Sequence, residues 1–234
     1  MTVEQTYQMA LERGRELREL GITVNFAPDV DVSSQPDDSV IGDRSYSSDP
    51  QVVVEYAGAY AQGLRDAGIM PVLKHFPGHG SASGDSHTGA VTAPPLEQLE
   101  QSDLVPYRAL VAPDVAVMLG HLDVPGLTGG LPASISPEAV ELLRSGSYGA
   151  PEFDGVIFTD DLSGMRAITD TYDITEAVEA ALVAGVDQAL WLTTDEVPEV
   201  LDHLEDAVAA GELPQSRVDD AVRTVARAKG ALDC

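Results

Sequence analysis

The sequence predicts an α/β fold, specifically a (β/α) barrel of the TIM type that is incomplete. Three observations predict it. Helix-like and strand-like patterns alternate along the 234 residues. The strand candidates are short, continuous apolar runs, as expected of parallel strands buried on both faces. Titratable residues gather directly behind those runs, where a barrel places its chemistry on the loops after the strand C-termini. About five strands can be counted, against the roughly eight that close such a barrel.

Each element has its own signal. Residues 2–20 space Met9, Ala10, Leu17 and Leu20 among charges at helical intervals, and Gly21 stops the helix. Residues 22–28 form a short apolar run that enters the Asp-rich segment 29–38, a strand running into a loop. The unit recurs as a helix over 49–67, a break at Gly68 and a strand over 69–73. A helix over 96–110 precedes a β-branched strand over 115–119, and Gly120-His121 opens the next loop. Pro137 sits well in the first turn of a helix over 137–143. A strand over 155–158 ends at Thr159-Asp160-Asp161, followed by an Ala-rich helix over 175–184 and a last strand over 186–192. Helices over 197–209 and 216–232 follow, and residues 1–234 are expected to form one domain.

Composition excludes several function classes. With 39 acidic and 13 basic side chains the formal charge is −26, so phosphate backbones and anionic membranes are repelled, and nucleic acid is not an expected partner. Cys234 is the sole cysteine, so no disulfide framework or thiolate metal cluster exists within the sequence. No basic-then-apolar leader opens the chain, and no apolar run reaches the roughly 18 residues of a membrane span.

The titratable residues concentrate in one stretch. Lys74-His75-Phe76-Pro77-Gly78-His79-Gly80 is followed by Asp85-Ser86-His87. A packed core must desolvate and pair every such group, so this density points to a site. Asp85, two residues from His87, is placed to accept from one ring nitrogen and leave the other for proton transfer, half of an acid/base device. The same tripeptide also reads as a simple capped turn. Asp160, at the mouth of a buried strand, is a candidate nucleophile, and Asp161, facing the other way, is expected to cap the next helix. Both acids capping that helix is the plainer alternative. Arg44 and Lys74 are candidate donors to substrate oxygens. His75, His79, His87 and His121 invite a metal reading, but no helical His pair occurs and Pro77-Gly78 separates the first two, so no metal is expected.

Residues 74–87 (KHFPGHGSASGDSH), 41–50 (IGDRSYSSDP), 25–32 (NFAPDVDV), 117–124 (VMLGHLDV) and 153–165 (FDGVIFTDDLSGM) together resemble glycoside hydrolase family 3, in its β-N-acetylhexosaminidase branch. The resemblance runs from about residue 5 onward. It implies a (β/α) barrel that removes terminal β-linked N-acetylglucosamine with retention, through a covalent glycosyl-enzyme. It implies Asp160 as nucleophile, His87 with Asp85 as the acid/base dyad, and Arg44, Lys74 and His75 as sugar ligands. Neither cofactor nor metal is implied. Most retaining glycosidases use a carboxylic acid in the acid role, and the His/Asp dyad is this branch's departure.

The resemblance also implies about three further strands at the front, with a segment like Asp-Gln-Glu-Gly-Gly. The present chain then matches the last five of eight βα units, and a missing N-terminal segment or a partner is expected to complete the barrel. Exported members carry a leader in that part. Three further readings stay open: a β-glucosidase or phosphorylase variant of the family, an inactive carbohydrate-binding remnant, and a metal-dependent hydrolase.

Overall fold

Five short parallel strands wind in sequence order into a curled half-barrel, with helices between them. A computed structural model describes residues 1–231; Cys234, and the end assigned to the last helix at Leu232, lie outside the described residues. In order come α1 (Val3–Glu19), β1 (Val24–Asn25), α2 (Pro50–Asp66), β2 (Met70–Phe76), α3 (Leu96–Leu99), α4 (Leu104–Leu110) and β3 (Ala116–Leu119). Then follow α5 (Pro137–Ser145), β4 (Ile157–Asp161), α6 (Arg166–Thr169), α7 (Ile174–Ala184), β5 (Gln188–Leu190), α8 (Val197–Ala210) and α9 (Gln215–Ala228). The sheet order is β1-β2-β3-β4-β5, with Val24 opposite Met70, Val72 opposite Ala116, Val117 opposite Ile157 and Phe158 opposite Gln188. Among the described residues no helix is long and apolar enough to cross a membrane.

Strand alternation sorts the apolar residues onto two faces. Leu73, Val117, Leu119 and Ile157 join the larger core with Val53 of α2, Tyr107 of α4, Leu143 of α5 and Ala181 of α7. Val72, Ala116, Met118 and Phe158 form a smaller cluster on the other face, met by Val225 of α9. Phe26 leans on Phe158 there, edge to face at 5.2 Å.

The helices start and stop for local reasons. Thr2 and Gln5 form a reciprocal capping box ahead of α1, and Asp173 and Glu176 do the same for α7. Ser136 caps α5 with Pro137 in its first turn, and Gly146 ends it in the left-handed conformation.

Four expectations need correction. The helix expected over 96–110 is two helices, because Pro106 supplies no N–H and its ring would clash with the carbonyl of Ser102 in a continuous helix. The first strand is only two residues long, though its pairing with β2 resumes at an isolated bridge between Asp29 and Lys74. β2 and β4 run further than expected, so Lys74, His75 and Asp160 stand on strand ends rather than on loops. Asp161 does not cap a helix: its Oδ1 accepts from the N–H and hydroxyl of Ser163 at 2.9 and 2.6 Å and closes a tight turn.

Distant elements are tied by one buried carboxylate. Asp187 accepts from Arg144 Nη2 and Arg217 Nη2, each at 2.7 Å, and from the Ile157 N–H at 2.9 Å. It thereby joins α5, β4 and α9 at the start of β5.

Candidate active site

The carboxylates and imidazoles of interest meet at the C-terminal ends of β1, β2 and β4. Pairing of Asp29 with Lys74, and the Val30 N–H bonded to the Lys74 carbonyl at 2.8 Å, bring the Asp-rich segment alongside β2. Asp31 is then enclosed beneath the histidines. Its carboxylate accepts from His75 Nδ1 at 2.7 Å, the His79 N–H at 2.6 Å and the His75 N–H at 3.3 Å. The chain reaches this arrangement through glycines: a Cβ on Gly80 would lie 2.1 Å from the Val32 carbonyl oxygen, and one on Gly78 (φ 142°) 2.2 Å from Asp103 Cβ.

Asp31 sets the protonation of its neighbours. Burial alone would raise its carboxyl, but the His75 cation, by charge and hydrogen bond, brings it down to about 2. Burial likewise works against a charged His75, and Asp31, with Asp29 and Asp160 behind it, wins and raises the imidazole above its ordinary value. His79, which lacks such a direct carboxylate partner on its ring, is pushed down by burial. Asp29 holds the proton that the acidic pair cannot shed: burial and the Asp31 charge push it up to about 8. Arg44 Nη1 lies 3.9 Å from Asp29 Oδ2, within ion-pair reach, but its side chain is 42% exposed and hydrated, so burial of Asp29 outweighs it.

Asp160 stands at the end of β4 with Oδ2 3.7 Å from His75 Nε2. Burial would raise its pKa; the His75 charge overcomes that, with lesser contributions including that of Lys74, and holds the carboxyl below its ordinary value. The site thus offers a carboxylate held below its ordinary pKa beside an imidazole held above its own, whose other nitrogen is fixed by Asp31. His121 is structural. Its Nε2–H donates to the Asp161 carbonyl at 2.8 Å, its Nδ1 takes the Ser134 hydroxyl at 2.7 Å, and burial lowers its pKa.

Asp85 and His87 pair with each other on the surface of the loop after β2. His87 Nδ1 and the His87 N–H both meet Asp85 Oδ1, at 2.7 and 2.9 Å. The His87 N–H first, then its ring, hold Asp85 below the usual carboxylate value, so Asp85 is the anion of the pair. Among the described residues no hydrogen bond or ion pair joins this dyad to Asp160. Arg44, in the 3-10 turn Gly42–Arg44, bonds the Val40 carbonyl and faces Asp29. The structure therefore brings His75 and Asp160 together directly, places Lys74 next to His75 on β2 with its charge acting on Asp160, sets Arg44 beside them through Asp29, and leaves Asp85 and His87 as a separate pair.

Sequence reasoning assigned no role to Asp31 or Asp29; their signal was two carboxylates, two residues apart, behind the first strand. The three ligand-type atoms of Asp29, Asp31 and His75 lie within 4.8 Å of one another, a grouping with metal-site dimensions. The Asp31 oxygens in it are already occupied by N–H donors. The two apolar clefts beside α9 are lined by Val24, Met70, Val156, Asp187 and Gln188 at the N-terminal ends of the strands, away from these groups.

The glycosyl hydrolase family 3 N-terminal domain model matches residues 1–228. The chain belongs to glycosyl hydrolase family 3. It is 64% identical over 232 residues to the beta-hexosaminidase LpqI of Mycobacterium tuberculosis (strain ATCC 25618 / H37Rv), covering 98% of this chain and 60% of that protein. The crystal structure of a family member from Mycobacterium smegmatis superposes with a TM-score of 0.97 at 61% identity, over 100% of this chain and 73% of that one. A family β-N-acetylglucosaminidase from Paenibacillus sp. str. FPU-7 superposes with a TM-score of 0.90 at 36% identity, over 98% and 44%. The chain spans about 60% of the length of the curated relative it matches so well. Membership accounts for the parallel half-barrel.

Proposed function

We propose that residues 1–234 form one catalytic domain of a retaining β-N-acetylhexosaminidase that removes terminal β-linked N-acetylglucosamine from peptidoglycan-derived or related glycosides. The observation that carries this reading is Asp160 at the end of β4, partly buried yet held ionised by His75 at 3.7 Å. A carboxylate that is anionic without being fully solvated is a competent nucleophile.

In the first step a proton leaves the His87 ring for the glycosidic oxygen while an Asp160 oxygen bonds to the anomeric carbon and the C–O bond to the leaving group breaks. Asp85, on Nδ1, assigns the transfer to Nε2. In the second step neutral His87 takes a proton from water, the water oxygen bonds to the anomeric carbon, and Asp160 departs as the anion. Two inversions give retention. Arg44, Lys74 and His75 donate to sugar oxygens, and no metal or cofactor takes part. A further segment or a partner chain completes the barrel over the smaller apolar face.

The test is Asp160→Ala. The variant keeps its circular-dichroism spectrum and melting temperature and loses release of aryl N-acetyl-β-glucosaminide by at least about 10³-fold. Undiminished activity overturns the assignment. Absence of turnover in the unaltered chain, with saccharide binding kept, favours a binding domain instead.

A further inference from the structure

The loop that carries Asp85 and His87 is held by the residue between them. The side chains of Asp85 and His87 are 36% and 57% exposed, whereas Ser86 is 4% exposed. The Ser86 hydroxyl donates to Met165 Sδ at 3.4 Å, and the Ser86 carbonyl accepts from the Ala167 N–H at 3.0 Å. Met165 is the N-cap of α6 and Ala167 lies in its first turn, a few residues after Asp160, and Met165 is itself buried. The Thr88 N–H and hydroxyl close the other side, each 2.9 Å from the Asp85 carbonyl. The loop is pinned at its base as well, by the Ser83 N–H on the Thr92 carbonyl at 2.9 Å.

A turn sets the division of labour. The Thr88 N–H on the Asp85 carbonyl closes residues 85–88 into a tight turn, and within it Ser86 is turned inward while the side chains of Asp85 and His87 stay outside. We infer that Ser86 and Met165 form a latch that docks the dyad loop on the start of α6, just behind β4, and that both are positioning residues for proton transfer to the leaving group. The latch links the loop bearing the candidate acid/base to the segment that follows the candidate nucleophile, two groups that share no direct bond. The inference rests on the proposed role of His87; the docking itself does not.

Two mild variants test it, since each removes the hydroxyl–sulfur contact while leaving the volume nearly intact: Ser86→Ala and Met165→Leu. Each is compared with the unaltered chain and with His87→Ala on aryl N-acetyl-β-glucosaminides whose leaving groups range from dinitrophenol to phenol. A dinitrophenolate leaves without protonation, and a phenolate needs it. The latch variants should lose about 3- to 10-fold in kcat/KM on the phenyl substrate and nothing on the dinitrophenyl one, a fraction of the roughly 10²- to 10⁴-fold that a positioned acid contributes. A loss equal on both substrates, or absent on both, overturns the positioning role. If His87→Ala shows no leaving-group dependence, the acid/base reading fails first and the positioning role with it. Hydrogen exchange needs no turnover: the Ala167 amide and residues 81–91 should exchange faster in both variants, and unchanged exchange removes the latch.

Discussion

Replacing Asp31 by Asn takes one charge and almost no volume from the point on which the site converges. Three N–H groups aim at this carboxylate. An Asn can keep one acceptor, for the His79 N–H, but turns its own N–H₂ toward His75. A hydrogen bond to a charged group contributes about 1.5–3 kcal/mol and a neutral one about 1, so losing two and retaining one neutral bond costs about 2–4 kcal/mol after the relief of a desolvated charge. The titration of Asp31 leads to a similar size. Its carboxyl lies at about 2 instead of the ordinary 3.8, and at about 1.4 kcal/mol per pH unit that corresponds to about 2–3 kcal/mol.

The pH signature follows from the signs. A lowered Asp contributes stability above its unfolded value and loses it as pH falls, so the Asp31 contribution is complete above about pH 4 and fades toward about pH 2. A raised His contributes stability below its unfolded value, 6.5, and loses it as pH rises through the folded value. The difference between the unaltered chain and Asp31→Asn is therefore largest at about pH 5 and smaller on either side. Urea unfolding followed by circular dichroism across that range measures it, and the His75 ring resonances titrate lower in the variant. A variant as stable as the parent at about pH 5, with His75 titrating as before, refutes the reasoning.

Two other outcomes are expected. Asp187→Ala strands two arginines against buried surroundings and should cost about 3–5 kcal/mol, with exchange rising first in α9; a loss under about 1 kcal/mol contradicts the tie. Asp103, whose Oδ1 is buried without a hydrogen-bond partner, is pushed by burial up to about 7, so its contribution is complete below about pH 4 and lost as pH rises through 7. Asp103→Asn should therefore gain on the parent between about pH 5 and pH 9, by at most about 4 kcal/mol, and parallel pH–stability curves would contradict this.

Much of the architecture was legible because its signals are local. Parallel strands buried on both faces read as apolar runs, and helix ends are marked by Gly21, Gly68 and Pro137 wherever distant packing falls. The incomplete barrel with five parallel strands is what the chain forms. Boundaries drifted where a long-range partner decided them. The apolar run stops at Leu73, which makes Lys74 and His75 look like loop residues, yet pairing of Lys74 with Asp29 and Met118 carries the strand through them. The apolar spacing over 96–110 is helical throughout, and one ring at Pro106 splits the helix.

By itself the sequence determined the alternation of elements, the carboxylate closing the fourth strand and the Asp85–His87 pair, since each depends on residues at most a few positions apart. Only the tertiary structure decided that Asp31 lies under His75, 44 residues away, and that Ser86 meets Met165, 79 residues away. Those contacts arise from the register of parallel strands, and parallel pairing joins segments whose separation is set by the helices between them. A local pattern holds no record of such a partner.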